Sequence, residues 1–144
     1  MTLLVCDTDF LMKVTNEPIP KLHQLLESSE YDLVTLPSVR RELAGLSRSS
    51  NQKTARYARN AIRAIENKTV RVLQESSGAK TDADVALLDF GHKHAGSALV
   101  ATLDGELLSE MESRGISYLT IRNNRPFRQE FARATYLTTK KREN

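Results

Sequence analysis

The stretch Thr2-Leu-Leu-Val-Cys-Asp-Thr-Asp9 decides how the rest of the chain is read. Its apolar run, Leu3 to Cys6, is too short for a stable helix and reads as a strand that stops abruptly at an acid. The same grammar returns at Ala98-Leu-Val-Ala-Thr-Leu-Asp104, where a second apolar run ends two residues before a carboxylate. Strand-like runs also occur at Asp32-Leu-Val-Thr-Leu36, Thr69-Val-Arg-Val-Leu73 and Ile116-Ser-Tyr-Leu-Thr-Ile121. Longer helix-like segments alternate with them. That alternation predicts an α/β protein, a three-layer α/β/α sandwich whose central, mostly parallel sheet has four to five strands.

The helical signals are local and chemical. Pro37 followed by Ser38 opens a helix that Gly45 closes, with Glu42 in its second turn. Asn51 to Asn67 carries Ala55, Ala58, Ile62 and Ile65 at three-to-four spacing and predicts an amphipathic helix with its arginines outward. Thr81 is suited to cap a helix that stops near Gly91 or Gly96, with Asp82 and Asp84 in its first turn. Asp104-Gly105 begins another helix, over Glu106 to Arg114, closed by Gly115. Arg122 to Arg133, with Phe127 and Phe131 interleaved, reads as a last helix with core-facing Phe and an arginine coat, or as an RNA-facing edge.

Bulk properties bound the class. The chain has 144 residues, 40% hydrophobic and 27% charged, with only four Pro and six Gly, which is the composition of one folded domain. The apolar runs fall far short of the roughly 20 residues that cross a bilayer. No Lys or Arg precedes the first run, and Asp7 and Asp9 interrupt it, so a secretory signal is not expected and a cytoplasmic location is. A lone Cys6 allows no intramolecular disulfide and fits a buried small hydrophobe. Net charge is only +3, but Lys53, Arg56, Arg59, Arg63 and Lys68 cluster, as do Arg122 to Arg142, which points to an anionic partner such as nucleic acid.

In open parallel sheets, ligands bind beyond the carboxyl ends of the strands at the point where strand order reverses. If the first and fourth strands are neighbours there, Asp7 and Asp104 face one crevice. Crowded carboxylates repel one another unless a cation compensates them, and an all-oxygen set favours Mg²⁺ or Mn²⁺. Such ions lower the pKa of water and stabilise in-line displacement at phosphorus, so phosphodiester hydrolysis is the leading chemistry. Asp82 and Asp84 diverge by ~200° around a helix axis, so at most one is expected as a direct ligand.

The ordered set Val5-Cys6-Asp7-Thr8-Asp9, Val39-Arg-Arg-Glu42-Leu43, Thr81-Asp82-Ala83-Asp84-Val85 and Ala101-Thr102-Leu103-Asp104 resembles the PIN domain nucleases over nearly the whole chain. The resemblance implies metal-dependent RNA cleavage by Asp7, Glu42, Asp104 and one of Asp82 and Asp84. Asp7, Glu42, Asp84 and Asp104 are then the expected ligands for Mg²⁺ or Mn²⁺. Thr8 and Thr102 match the hydroxyl residues beside the acids, and Asp9 stands where the family often has Asn or Ser. The longer stretch Gly91 to Ser97 leaves the register of Asp82 against Asp84 open. The expected nuclease domain spans 1–134, with a basic tail over 135–144.

The implied activity is an endoribonuclease of rRNA processing or RNA quality control. The alternative is a VapC-type toxin held by a small antitoxin protein, and a rival of another class is a non-catalytic RNA- or protein-binding module. PIN domains often pair through helices, so a homodimer is compatible with the resemblance. Arg40, Arg41, Lys53, Arg56, Arg122 and Arg125 are the candidate RNA contacts. His92 and His94 have no third partner to complete a zinc set, and His23 reads as amphipathic surface. Ser47, Ser49 and Ser50 lack triad companions, and no Gly-rich phosphate loop is present.

Overall fold

The computed structural model describes residues 1–74 and 82–131. The expected tail over 135–144, the domain limit at 134, Thr81 and Arg133 lie outside the described residues. The elements run β1 (Thr2–Cys6), α1 (Thr8–Val14), α2 (Pro20–Glu27), β2 (Tyr31–Thr35), α3 (Pro37–Leu46), α4 (Gln52–Glu66), β3 (Arg71–Val72), α5 (Ala83–Lys93), β4 (Ala98–Ala101), α6 (Gly105–Arg114), β5 (Tyr118–Arg122) and β6 (Arg125–Gln129).

Among the described residues one sheet holds six strands in the order β3-β2-β1-β4-β5-β6, of which only the β5–β6 pair is antiparallel. Connections step one way from β1 to β3 and the other way from β4 to β5. With right-handed crossovers this reversal puts helices on both faces and leaves a crevice between β1 and β4. Those two strands pair from Leu3↔Ala98 to Cys6↔Ala101, so their carboxyl ends are level. They form the centre of the core. Leu4, Val5, Cys6 and all four residues of β4 are buried.

Local chemistry accounts for most helix boundaries. Asn51 caps α4, its side chain accepting from Thr54 N at 3.0 Å, and Asn67 ends it. The helix buries Ala55, Ala58, Ala61 and Ile65, so Ala61 takes the place expected for Ile62, which is only half-buried. Asp104 caps α6, and Gly115 closes it at φ 68°, a left-handed position that glycine occupies without a Cβ penalty.

Three expectations need correction. The sheet has six strands, because Arg125–Gln129 pairs with β5 and is not the start of a last helix. Asn123 and Asn124 both have positive φ, 52° and 60°, the conformation of a tight two-residue hairpin turn, and asparagine tolerates it. Pro126, which has no N–H to donate, is accommodated because β6 is an edge strand. Of the two stops expected for α5, the helix passes Gly91 and ends at Lys93, with His94 as its cap and Gly96 following at φ 88°; Gly91 lies inside, where a Cβ would come within 2.7 Å of Ile116 and 2.9 Å of Val100. Asp82 lies not in the first turn of α5 but before it, capping the helix by accepting from Asp84 N at 2.8 Å.

Candidate metal centre

Asp7 leaves the sheet where β1 ends and immediately caps α1, so one residue serves both as strand terminus and as helix start. Its Oδ1 accepts from Thr8 N and its Oδ2 from Thr102 Oγ1, each at 2.7 Å. Its own N–H donates to Ala101 O at 2.8 Å, extending the β1–β4 ladder by one step. Thr102 in turn accepts from Asp104 N at 3.1 Å. Asp104 Oδ1 accepts from Glu106 N and Leu107 N at 2.9 and 3.2 Å, which leaves the other oxygen of that carboxylate for the crevice. Behind this layer Thr35, buried at the end of β2, donates to Cys6 O at 2.7 Å. Nothing in the sequence singled out Thr35; only the β1–β2 pairing gives it that position.

A cavity of about 280 Å³ opens there, walled by Asp7, Asp9, Glu42, Asp82, Asp84 and Asp104 with Thr8 on its floor. Met12 and Leu46 form its apolar edge. Every acid expected from the sequence meets in this one space. Glu42 arrives on the second turn of α3, while Asp82 and Asp84 arrive together because the extended cap residue and the first turn share an edge of the cleft.

The electrostatic consequence is collective. Burial pushes the Asp7 carboxyl from 3.8 up to about 6, and repulsion from Asp9 and Asp104 adds to it against the bonds from Thr102 and Thr8. Asp9 is raised by burial and by Asp104, opposed by the main chain of Leu103 and Phe10. Glu42 is raised by burial and then by Asp7, Asp84 and Asp82, with the Thr8 hydroxyl offsetting part of it. Asp84 is raised by burial and then by Asp7, Asp104, Asp82 and Glu106. Because Glu42 and Asp84 remain exposed, solvent screens much of their repulsion, and the central strain falls on Asp7.

Two atoms sharpen the picture. Thr8 Oγ1 and Asp9 Oδ1 are buried and make no hydrogen bond of good geometry. A buried carboxylate oxygen without a donor is costly, and a cation satisfies it. All-oxygen donors of this kind fit a hard divalent ion. Among the described residues, no three His, Cys, Asp or Glu side chains are drawn together tightly enough to hold an ion as they stand. They ring the space instead of closing on a point, as mutually repelling anions do.

Neither a family model nor a curated protein sequence matches the chain. Solved structures do. The structure of the PIN domain endonuclease Utp24 matches with a TM-score of 0.65 and 20% identity, over 89% of this chain and 91% of that one. The fold is PIN-like. A domain of a functionally unknown protein from Methanocaldococcus jannaschii matches with a TM-score of 0.56 and 13% identity, over 85% of this chain and 92% of that one.

The PIN-like sheet does not bring all the expected basic residues to the acids. Arg40 and Arg41 are exposed on α3, and neither lines the cleft. Lys53 stands over the Tyr57 ring, 5.3 Å from its centroid. Arg56 lines a separate cavity at the end of α3. Arg122 lies over the Phe127 ring at 3.9 Å, and Arg125 is exposed at the hairpin. His94 is stacked on Phe90 at 4.1 Å between centroids. Among the described residues no helix is long and apolar enough to cross a membrane.

Proposed function

We propose that this protein is an Mg²⁺- or Mn²⁺-dependent endoribonuclease. The observation that carries the reading is the convergence of Asp7, Glu42, Asp82, Asp84 and Asp104 at the carboxyl ends of β1 and β4, on a PIN-like fold. Asp7, Glu42, Asp84 and Asp104 would hold the metal, with Asp82 kept at the rim by its capping bond to Asp84 N. When bound, the ion supplies compensating charge, a water of lowered pKa and stabilisation of the phosphorane-like transition state. The chain's own part is positional. Thr102 ties the Asp7 carboxylate to the Asp104 main-chain N–H through one hydroxyl, and Asp9 adds negative charge beside them.

RNA is the proposed substrate, and a role in RNA processing or quality control is the proposed setting. The PIN domain endonuclease Utp24, whose structure matches 89% of this chain, supports cleavage within a strand. The test is cleavage of labelled single-stranded and structured RNA with Mn²⁺, comparing wild type with Asp7→Asn and Asp104→Asn. Loss of cleavage in both variants is expected; full activity in both refutes the assigned site. A non-catalytic module would show no carboxylate-dependent Mn²⁺ affinity. Co-expression with the neighbouring open reading frame distinguishes a toxin, which a small antitoxin protein would silence.

A further inference from the structure

The C-terminal end of α3 separates two cavities of opposite character. Leu46 edges the acidic cleft, and the next residue, Ser47, is on the wall of a second cavity of about 520 Å³. That wall carries Arg48, Arg56 and Arg59, with Ser49 and Gln52 between them. All three arginines are exposed, and among the described residues no guanidinium group of the three makes an ion pair or hydrogen bond; that of Arg56 only lies 5.8 Å from the centroid of the Tyr57 ring. Among the described residues nothing anionic lines the space. Gln52 is the first residue of the 15-residue α4, so the positive end of that helix dipole adds to the same field.

Three guanidinium groups around one concavity repel one another and create a potential that only an anion relieves. Ser47 Oγ and Ser49 Oγ are themselves engaged, with Ala44 O and Asn51 N, so the hydroxyls shape the wall and the arginines carry the recognition. Guanidinium groups match phosphate oxygens with two-pronged hydrogen bonds. Leu46 lines the acidic space and Ser47 the basic one, and adjacent Cα atoms are about 3.8 Å apart, so the two spaces draw on neighbouring positions of the chain. An extended polyanion can occupy both.

We infer that the Arg48–Arg56–Arg59 cavity is a phosphate subsite that grips the backbone of the RNA strand beside the acidic cleft. This rests on the nuclease reading for the identity of the polymer, but not for the existence of the anion site. Arg48 and Arg59 thereby join Arg56 as strand-holding residues, whereas Lys53 stands apart over Tyr57.

The experiment measures binding of a fluorescently labelled 12-nucleotide single-stranded RNA to the full chain in EDTA, over a range of salt, so that binding is read without hydrolysis. Wild type is compared with the triple variant Arg48→Gln/Arg56→Gln/Arg59→Gln and with Lys21→Gln, an exposed charge on α2. Losing three phosphate contacts should weaken affinity about tenfold or more near 0.1 M salt. It should also reduce the slope of log K against log salt by about 2, since each contact on a single strand contributes about 0.7. Lys21→Gln should leave the slope unchanged. Circular dichroism and thermal unfolding check that the triple variant is folded; if it is not, the three single variants replace it, each expected to lower the slope by about 0.7. Wild-type affinity and slope in folded variants would overturn the subsite, as would loss of binding to anionic lipid vesicles with RNA binding intact. A protein that binds RNA through these arginines yet cleaves nothing with Mn²⁺ would uphold the subsite and sink the nuclease reading instead.

Discussion

Thr102 Oγ1 donates a 2.7 Å hydrogen bond to Asp7 Oδ2 across 95 positions of sequence. The same oxygen accepts from Asp104 N, so one buried hydroxyl fixes the spacing of the two strand-end acids.

Thr102→Val keeps the volume but removes both bonds, leaving a buried carboxylate oxygen and a main-chain N–H without their partner. A loss of about 1–3 kcal/mol in urea unfolding is expected, together with reduced cleavage. Thr102→Ser should restore most of both. Equal defects in Val and Ser variants would show that packing of the methyl group matters more than the hydroxyl.

The raised pKa of Asp7 makes metal-free stability depend on pH with a definite sign. Because the folded value is about 6 against an ordinary 3.8, the native state holds the extra proton between those limits and the unfolded chain does not. This group's contribution is therefore most favourable in acid and turns into a penalty as pH rises through about 6. In EDTA at pH 7.5, Asp7→Asn should be more stable than wild type by about 1–3 kcal/mol, and the gain should vanish near pH 4. A destabilised variant at pH 7.5 would contradict this.

On the proposed metal-dependent reading, Mn²⁺ should raise the melting temperature of the wild-type chain, because an ion held by the folded cleft finds no such site among the dispersed acids of the unfolded chain. Saturation to a hundredfold over Kd corresponds to about 2.7 kcal/mol. Differential scanning fluorimetry should show the shift abolished in Asp104→Asn and removed from wild type by EDTA. An unchanged shift in that variant would place the ion elsewhere.

Gly91 is a packing requirement. A Cβ there would lie 2.7 Å from Ile116 Cγ2 and 2.9 Å from Val100 Cγ2, so Gly91→Ala should destabilise by about 1–3 kcal/mol despite alanine's better helix propensity. Adding Val100→Ala should recover part of the loss in a double-mutant cycle. Additive losses would mean that the strain lies against Ile116.

The legible parts of the molecule were those where neighbouring residues settle the outcome. The apolar run ending at Asp7, the Asn51 cap and Asn67 end of α4, and the Asp104 start and Gly115 end of α6 are all local events. β6 was misread because Arg122 to Arg133 has no clear alternation of period two. Its strand state depends on the left-handed Asn123–Asn124 turn and on a partner edge offered by β5. The choice between Gly91 and Gly96 as the end of α5 stayed open for a related reason: a glycine looks like a helix end until the close approach of β4 and Ile116 is known.

By itself the sequence determined the alternating α/β order and the identity of the acids that end strands or begin helices, because hydrophobic period and capping chemistry act over a few residues. Only the tertiary structure decided that β1 lies beside β4, that Thr102 bridges Asp7 and Asp104, and that Arg48 joins Arg56 and Arg59 around one cavity. Those relationships join residues brought together by strand order and helix packing, and the repulsion that raises Asp7 exists only once burial has removed the water around it.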